Sequence, residues 1–523
     1  MHGRGQDDPL CAGSLRAVTP ADPTPADASD DLPEQMRVRR EKLDRLREAG
    51  IDPYPVGYPR TASLAEVHAS HPDLPVDHAT GERVGVTGRV MLKRVGGKLC
   101  FATLRDGTAD LQVMFSLDRL GADALDSFKH DVDLGDHLGV TGEVITSRRG
   151  ELSVLAESFA ITSKCLRPLP DKHKGLADPE ARVRQRYVDL LVNPEARDVL
   201  RVRSEAVRSV RRFLTDRGFL EVETPMLQVL HGGANARPFV THINAYDMPL
   251  YLRIAPELYL KRLLVGGVEK VFEINRNFRN EGADSSHNPE FTMLEMYEAY
   301  GDYDTMAVLT QELIQQACRD VYGSESVRHT NDDGEVTQYD LSGQWPVVTV
   351  NDGLSEAVGT PITPDTSVAE LQRHCDRLEI PYDPDWGHGM LILEMYEHLL
   401  ERRTVTPVFY KDFPTDVSPL TRQHRDDPRL AERWDLVAFG AEIGTAYSEL
   451  VDPVEQRARL TAQSLLAAGG NEEAMQLDED FLRALEYGMP PAGGQGMGIE
   501  RLLMMLTGRG IRDTLLFPLV KPE

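Results

Sequence analysis

Alternating apolar positions predict a β-hairpin between residues 271 and 300. Apolar side chains recur at every second position on both sides of a polar interruption: Phe272, Ile274 and Phe278, then Phe291, Met293 and Tyr297. The interruption includes residues 282–286, GADSS, which are residue types that favour turns. Since successive side chains of a strand point to opposite faces, the second strand places Glu295 on the same face as Phe291 and Tyr297. The hairpin therefore presents aromatic and acidic side chains to one space.

Short alternating stretches with glycine turns predict a small barrel between residues 84 and 168. Five such stretches follow one another, and a helical pattern near residues 120–128 separates the third from the fourth. This succession is typical of a five-stranded barrel of the oligonucleotide-binding type. The fold alone indicates binding and not a particular ligand.

Periodic apolar residues predict helices along the rest of the chain: residues 34–49, 199–216, 305–322, 367–378 and 390–401. A short strand ending at Pro225 follows the second of these helices, and residues 328–340 form a polar, strand-like insert. Residues 1–35 are rich in Pro, Ala and Asp without apolar periodicity, which predicts disorder. The basic residues of helix 34–49 fit a solvated face or an RNA contact, and their spacing alone favours the solvated face.

Composition indicates a globular protein without a membrane partner. The 523 residues suffice for two or three domains, and 41% of them are hydrophobic while 27% are charged. No apolar run approaches about eighteen residues and the N-terminus lacks an apolar signal segment, so we expect a cytoplasmic location. The net charge of −26 argues against general nucleic-acid affinity, although basic residues group within 37–47 and 182–212. Five cysteines without a CxxC pair argue against disulfides and a thiolate zinc site.

Polar residues at the ends of the predicted hairpin indicate a nucleotide site. Arg279 and Glu281 follow the first strand, and His287 and Asn288 precede the second. A guanidinium group forms paired hydrogen bonds to phosphate, and an aromatic ring such as that of Phe291 stacks on a base. A plain hairpin with solvated charges is the alternative for these residues taken by themselves.

Glycines and carboxylates from other segments add to this candidate site. Gly232-Gly233 allows the backbone to approach a ligand closely, and Glu257 opens a helix whose dipole favours a carboxylate there. Three further carboxylates recur at intervals of seven: Asp435, Glu442 and Glu449. Isolated carboxylates together with substrate phosphates commonly bind Mg²⁺. The glycines of residues 493–498 predict a strand before a helix that carries Arg501, and they do not form GxGxxG in a βαβ unit, which excludes a dinucleotide fold.

Three segments resemble the motifs of class II aminoacyl-tRNA synthetases in their usual order. Residues 271–300, with FRNEG and HNPEFTMLE, resemble motif 2 of the lysine-specific enzymes. The helix and strand of residues 199–225 resemble motif 1, and GGQGMGIERLLMML, residues 493–506, resembles motif 3. The predicted barrel is similar to the anticodon-binding barrel of lysyl-tRNA synthetases. Together the resemblance covers residues 36–520.

The resemblance implies an α+β fold, in which an N-terminal five-stranded OB-type barrel precedes a catalytic domain with an antiparallel β-sheet flanked by helices. It divides the chain into consecutive regions: a tail (1–35), an N-terminal helix and connector (36–78), the anticodon-binding barrel (79–168), a hinge (169–198) and the catalytic domain (199–523). The implied reaction joins L-lysine to tRNA(Lys) through lysyl-adenylate, with ATP as substrate and Mg²⁺ as cofactor. Motif 1 implies a homodimer.

The family's assignments, carried over position by position, imply roles for individual residues. The catalytic residues would be Arg279 and Arg501. The ATP-binding residues would be Arg279, Glu281, His287, Asn288, Phe291 and Arg501. The lysine-binding residues would be Gly233, Glu257, Glu295, Tyr297 and Glu449, and the Mg²⁺ ligands Asp435 and Glu442. In the barrel, Phe101 would stack on an anticodon base while Gln112 and Glu151 contact base edges, although Phe101 would otherwise fit the barrel core.

Three positions depart from the family pattern. Ser286 stands where many relatives have arginine, which predicts weaker contact with the γ-phosphate. Asp435 stands where they often have glutamate, and its shorter side chain favours metal contact through water. Residues 445–447 are Thr-Ala-Tyr in place of Asn-Gly-Phe, which predicts a narrower lysine pocket or an added hydrogen bond.

Three other functions fit parts of the pattern. An aspartate or asparagine enzyme shares the architecture, but an aspartate pocket requires a cation in place of Glu449. A paralogue that supplies activated lysine to a lipid or protein would share the active site; the membrane-fused kind should have transmembrane helices, and the protein-modifying kind should lack the barrel. A non-catalytic regulatory protein is expected to lose Arg279, Glu281 or Arg501, and all three are present.

Overall fold

The computed structural model describes residues 33–170, 175–284, 287–331, 333–468 and 473–522. The chain divides into two compact units, residues 1–174 and 175–523. Most of the predicted tail lies outside the described residues, as does Ser286. Cys100, Cys165, Cys318 and Cys375 form no disulfides. No helix in the described ranges is long and apolar enough to cross a membrane.

The first unit is built around a barrel. Its elements in order are α1 (Glu34–Glu48), α2 (Leu64–Ser70), β1 (Ala79–Arg94), β2 (Leu99–Arg105), β3 (Asp110–Ser116), α3 (Leu117–Leu120), α4 (Ala122–Asp131), β4 (His137–Thr146) and β5 (Leu152–Ser163). Over residues 33–170 the five strands close in the order β1-β2-β3-β5-β4, and only β3 and β5 pair in parallel. This confirms the predicted five-stranded barrel and its helical interruption.

Helix α1 packs against this barrel through an apolar stripe and two basic residues. Leu43 and Leu46 are buried. Arg39 donates hydrogen bonds to the carbonyl oxygens of Cys165 and Arg167, and Lys42 pairs with Asp133 at 2.6 Å. These two basic residues therefore stabilise the unit itself, while the remaining basic residues of the helix are exposed: Arg37, Arg40, Arg45 and Arg47.

The second unit contains helices α5 to α16 and strands β6 to β18. The helices are α5 (Pro179–Arg184), α6 (Arg186–Val192), α7 (Pro194–Thr215), α8 (Glu257–Val265), α9 (Tyr303–Tyr322), α10 (Val350–Val358), α11 (Val368–Leu378), α12 (His388–Leu399), α13 (Pro453–Ala468), α14 (Glu479–Glu486), α15 (Ile499–Thr507) and α16 (Ile511–Thr514). The strands are β6 (Leu220–Glu221), β7 (Leu227–Gln228), β8 (Val240–Ile243), β9 (Met248–Leu252), β10 (Lys270–Phe278), β11 (Glu290–Ala299), β12 (Ser326–Thr330), β13 (Val336–Asp340), β14 (Val347–Thr349), β15 (Val408–Pro414), β16 (Leu430–Ala438), β17 (Ala441–Ser448) and β18 (Ala492–Gly498).

The main sheet of this unit is mixed. Within the described residues its eight strands have the order β14-β15-β16-β17-β18-β11-β10-β6. The six central strands pair antiparallel, which confirms the expectation there, but β6–β10 and β14–β15 at the two edges pair in parallel. Parallel pairing requires a long crossover, and helices lie between the two strands of each edge pair along the chain.

The two faces of the sheet differ in character. One face packs on α7, α9 and α15 through a hydrophobic core that includes Leu294, Met296 and Met497. On β11 the alternate residues, Glu295 and Tyr297, point to the opposite face, as the period of two predicts. The helices thus support the sheet from one side and leave the polar face for a ligand.

Candidate active site

A cavity of about 340 Å³ lies on the polar face of the main sheet. It brings together most of the residues that the sequence analysis assigned to ATP, lysine and metal: Gly233, Glu257, Arg279, Glu281, His287, Asn288, Phe291, Glu295, Tyr297, Glu442 and Arg501. Glu449 and Asp435 lie behind this lining. Glu449 pairs with Lys261, and Asp435 accepts hydrogen bonds from Arg433 and Thr445, which line the cavity. The cavity belongs wholly to the second unit.

Strand register explains why glycines form the floor of the cavity. Glu295 lies opposite Gly496 and Tyr297 lies opposite Gly494 across β11 and β18. A Cβ atom on Gly494 would lie 2.0 Å from Glu449 Oε1 and 2.4 Å from Tyr297 Cε1. Only a glycine leaves the Glu449 carboxylate and the Tyr297 ring in these positions.

Gly233 makes a second close approach at the cavity wall. Its φ is +87°, which favours glycine, and a Cβ atom there would lie 2.9 Å from Glu257 Cβ. The same position is 3.6 Å from Glu257 Oε2. The backbone of this loop therefore lies directly against the carboxylate that begins α8.

One end of the cavity is aromatic and cationic. The Arg279 guanidinium lies 5.2 Å from the centroid of the Phe291 ring, and its Nε has no hydrogen-bond partner. Burial lowers the pKa of Arg279, and in the described part of the chain it forms no ion pair. Arg501 donates a hydrogen bond to the Glu442 carbonyl oxygen at 2.6 Å. A guanidinium group with a buried, unpartnered Nε and no acidic partner is suited to binding an anion.

The hairpin loop adds polar groups to this end. The His287 backbone N–H donates to Asp284 Oδ1 at 2.7 Å, and its ring Nδ1 lies 3.1 Å from both carboxylate oxygens of Asp284. Asn288 is held by a hydrogen bond to the Glu290 carbonyl oxygen, while the Glu281 side chain is exposed. These residues surround the open mouth of the cavity.

The other end of the cavity is acidic and deeply buried. Glu257, Glu295 and Glu449 are 5%, 3% and 2% exposed, which places three carboxylates out of contact with bulk water. The Tyr297 hydroxyl donates to Glu295 Oε1 at 2.7 Å, whereas Glu295 Oε2 and Glu449 Oε1 have no hydrogen-bond partner. Burial raises the pKa of Glu449 to about 8 and also raises the pKa values of Glu257 and Glu295. Such acceptors require cationic or donor groups from a ligand.

Lys261, which the sequence analysis did not single out, supplies a cation behind this end. Its ammonium group lies 2.6 Å from Glu257 Oε1 and 2.5 Å from Glu449 Oε2. A glutamate and a lysine four residues apart on a helix indicate an ion pair, so the sequence does predict contact between Glu257 and Lys261. Such pairs usually lie on the surface, and the sequence does not show that this one is buried.

The segment with carboxylates at intervals of seven forms a hairpin. Phe439 and Gly440 have φ values of +54° and +75° and reverse the chain between β16 and β17. Asp435 therefore faces Thr445 across the hairpin. Its carboxylate accepts two hydrogen bonds from Arg433, at 3.0 and 2.7 Å, and one from Thr445 Oγ1 at 2.7 Å. Both oxygens of Asp435 thus have partners within the protein.

Glu442 differs from Asp435 because its side chain is open to the cavity. Its carboxylate is 36% exposed and lies 4.0 Å from Arg501. Glu401 lies beside it, since the Glu442 N–H donates to Glu401 Oε1 at 3.2 Å. Burial, together with the charge of Glu442, raises the pKa of Glu401 to about 7. Burial raises the pKa of the Tyr396 hydroxyl, and nearby carboxylates including Asp435 raise it further. This hydroxyl has no hydrogen-bond partner within the described ranges.

The neighbouring carboxylates of Glu401, Asp435 and Glu442 concentrate negative charge, which would favour a divalent cation at Glu442. No group of three or more metal-binding side chains is preassembled in the described residues. An ion at Glu442 would therefore take much of its coordination from phosphate and water, as Mg²⁺ commonly does.

The departures at residues 445–447 have separate effects. Ala446 is fully buried in the core on the far side of the sheet, so its methyl group does not narrow the cavity. Tyr447 lies opposite Gly494 and lines the cavity, and burial raises its pKa to about 12. Thr445 and Tyr447 both line the cavity, and Thr445 also donates a hydrogen bond to Asp435.

The predicted anticodon residues lie on the outer surface of the barrel. Along β2 the buried positions are Cys100, Ala102 and Leu104, and Phe101 is half-buried between them and absent from the barrel core. The Gln112 amide donates to Ser153 Oγ at 2.8 Å, and Glu151 is exposed. The core alternative for Phe101 is therefore wrong.

The fold and cavity define a class II synthetase, and the family comparison agrees. Residues 178–521 match the family described as tRNA synthetases class II (D, K and N), and residues 84–162 match the OB-fold nucleic acid binding domain. The chain belongs to the class II tRNA synthetases of the D, K and N group.

Individual relatives narrow this further. Lysine–tRNA ligase of Mycobacterium bovis (strain BCG / Pasteur 1173P2) is 57% identical over 95% of this chain and 99% of the relative. Lysine–tRNA ligase 1 of Mycobacterium tuberculosis (strain CDC 1551 / Oshkosh) is similar to the same extent. The lysylphosphatidylglycerol biosynthesis bifunctional protein LysX of Nocardia farcinica is 58% identical over 95% of this chain. The chain spans 43% of the length of that LysX relative.

Proposed function

We propose that the protein activates L-lysine with ATP and transfers the lysyl group to tRNA(Lys). The lysine carboxylate attacks the α-phosphorus of ATP, the bond to the β-phosphate breaks, and pyrophosphate leaves. A ribose hydroxyl at the tRNA 3′ end then attacks the carbonyl carbon of lysyl-adenylate and releases AMP. No nucleophilic side chain is required, because positioning and charge stabilisation supply the rate.

The strongest support is the pair of unpartnered carboxylate oxygens at the acidic end. Glu295 Oε2 and Glu449 Oε1 are buried acceptors without donors. Lysine carries two ammonium groups, and these would satisfy the two ends of the subsite. The α-ammonium is assigned to Glu257, Glu295 and the Gly233 carbonyl, and the ε-ammonium to Glu449 with the Tyr297 hydroxyl.

The opposite end of the cavity would hold ATP. Arg279, which has no acidic partner among the described residues, would bridge the lysine carboxylate and the α-phosphate. Phe291 and Arg501 would sandwich the adenine, and Glu281 would contact its amino edge. His287 and Arg501 would reach the γ-phosphate.

Mg²⁺ is the proposed cofactor. Glu442 would bind it directly through the carboxylate that faces the cavity, and the ion would neutralise charge on the leaving pyrophosphate. Asp435, which Arg433 and Thr445 hold on both oxygens, would contribute through water. Arg433 and Thr445 keep this second carboxylate in a fixed orientation.

The barrel and the sheet edge indicate macromolecular partners. Phe101, Gln112 and Glu151 would contact single-stranded anticodon bases. Several apolar side chains in the edge strand β6 and in the segment after it along the chain are exposed: Leu220, Met226, Leu227, Val229 and Val240. Such a group of apolar residues favours a homodimer interface. A cytoplasmic location is also part of this proposal. So is the division of the chain into an N-terminal helix and connector (36–78), a barrel (79–168), a hinge (169–198) and a catalytic domain (199–523).

The LysX relatives support a second candidate function. Their name refers to lysylphosphatidylglycerol biosynthesis, and they are as similar to this chain as the tRNA ligases are. The same activation site would then supply lysine to a non-translational acceptor. The two candidates differ in the final acceptor and not in adenylate formation.

Lysine-dependent exchange of pyrophosphate into ATP tests the activation step, and charging of purified tRNA(Lys) tests the transfer. Exchange with aspartate or asparagine but not lysine would refute the proposed amino acid. Addition of vesicles containing phosphatidylglycerol to the charging reaction distinguishes the two acceptors. Lysyl lipid formed by the purified protein would favour the second candidate, and lysyl-tRNA alone the first.

A further inference from the structure

Lys261 connects two walls of the acidic end. It lies on α8 one turn after Glu257, while Glu449 follows β17, so the two carboxylates come from separate parts of the chain. The ammonium group is within 2.6 Å of both, and the lysine side chain is fully buried. Lys261 does not line the cavity, so it supports the two carboxylates from behind.

The contacts of Lys261 determine which carboxylate oxygens face a ligand. In Glu257, Oε1 pairs with Lys261 while Oε2 faces Gly233. In Glu449, Oε2 pairs with Lys261 while Oε1 occupies the space that Gly494 leaves free. One ammonium group thus orients both carboxylates and sets the separation between the two oxygens that are offered to the substrate.

Lys261 also changes the charge of the acidic end. Three buried carboxylates without a cation would repel one another and favour protonation. With Lys261 the acidic end has a net charge of two negative, provided that the carboxylates are ionised. The two ammonium groups of a diamino acid match that charge, whereas a neutral side chain would leave one carboxylate uncompensated.

We propose that Lys261 is a positioning residue that determines amino-acid specificity by holding the Glu257 and Glu449 carboxylates at a fixed separation and by offsetting one of their charges. The inference rests on the proposed function, since it takes lysine as the substrate. It predicts selection for a second ammonium group and for the length of the chain that carries it.

Lys261→Met separates this role from general support of the fold, because methionine keeps the approximate shape and removes the charge. In lysine-dependent exchange, we expect the KM for lysine to rise about tenfold or more while the KM for ATP changes less than about twofold. Discrimination against norleucine, which lacks the ε-ammonium, should fall about tenfold. The matched control is Lys270→Met, since Lys270 pairs with Glu298 on the same hairpin outside the cavity and should show wild-type constants.

Lys261→Arg separates charge from position. Arginine keeps the charge but is larger, so discrimination against norleucine should persist while discrimination against ornithine, one methylene shorter, should weaken. This variant also decides the question if Lys261→Met does not fold. An equal loss of both discriminations in Lys261→Arg would overturn the proposal.

Other outcomes are equally distinguishable. An unchanged KM for lysine in Lys261→Met would overturn the role of Lys261 while leaving the proposed function intact. A parallel rise in the KM values for lysine and ATP would indicate a structural role and would also overturn it. Absence of lysine-dependent exchange in the wild-type protein would refute the proposed function and, with it, this inference.

Discussion

Replacement of Glu449 by glutamine removes one negative charge from the proposed ε-ammonium site with almost no change in shape. Glu449 is 2% exposed, so water cannot replace the lost interaction. A hydrogen bond to a charged group contributes about 1.5–3 kcal/mol, which corresponds to a change of roughly 10- to 100-fold. We therefore expect Glu449→Gln to raise the KM for lysine by that factor.

Steady-state exchange kinetics with lysine and ATP varied separately measure this effect. The KM for ATP should stay nearly constant, because the nucleotide end of the cavity retains Arg279 and Phe291. Glu298→Gln is the matched control, since Glu298 lies on the same strand as Glu295 and pairs with Lys270 outside the cavity. Unchanged lysine dependence in Glu449→Gln would mean that another group binds the ammonium, and would reopen the choice of amino acid.

The pH dependence of the wild-type protein provides a corollary. Burial raises the pKa of Glu449 to about 8 in the absence of substrate. Below that pH the carboxyl is largely protonated and cannot pair with an ammonium group, so kcat/KM for lysine should rise between about pH 6.5 and 8.5. The rise should be smaller in Glu449→Gln, where, of the three buried carboxylates, only Glu257 and Glu295 still have raised pKa values. A wild-type profile that is flat over this range would contradict the assignment.

Four further substitutions test three remaining assignments. Arg279→Ala should lower exchange by roughly a hundredfold or more, since such a contact contributes about 3 kcal/mol or more; activity within about threefold of wild type would refute the bridging role. Phe101→Ala should reduce tRNA charging but not exchange, because stacking contributes about 1–3 kcal/mol; equal losses in both assays would make Phe101 a structural residue. Glu442→Gln should raise the Mg²⁺ concentration for half-maximal exchange more than Asp435→Asn does, and the reverse order would assign direct metal contact to Asp435.

Local alternation was sufficient to predict the elements that carry the cavity. The period of two in β10 and β11 identified both strands and the face that presents Glu295 and Tyr297. The glycines at 493, 494, 496 and 498 likewise predicted the strand β18. These features depend on neighbouring residues only, so they are visible in the sequence.

Pairing between distant segments was not predictable in the same way. The parallel edge pairs join strands that are separated by helices, and nothing in the local pattern of β6 or β14 indicates the partner. The turn at Phe439 was also missed, because positive φ is unusual for phenylalanine and the surrounding residues are apolar. The sequence expects Asp435 to act through water because its side chain is short, but it does not show that Arg433 and Thr445 hold both of its oxygens while Glu442 faces the cavity.

The position of Gly494 against Glu449 and Tyr297 restricts how the proposed lysine site could be adapted to enlarged amino acids. Because even a methyl group at Gly494 would displace the acidic oxygen, any substitution at Gly494 can only shrink or distort the pocket. Room for a lysine derivative with a substituent on its ε-nitrogen would have to come from the neighbouring strand β17. Tyr447, which lies opposite Gly494, is the side chain whose truncation would create that room, so a library for altered substrates should begin there.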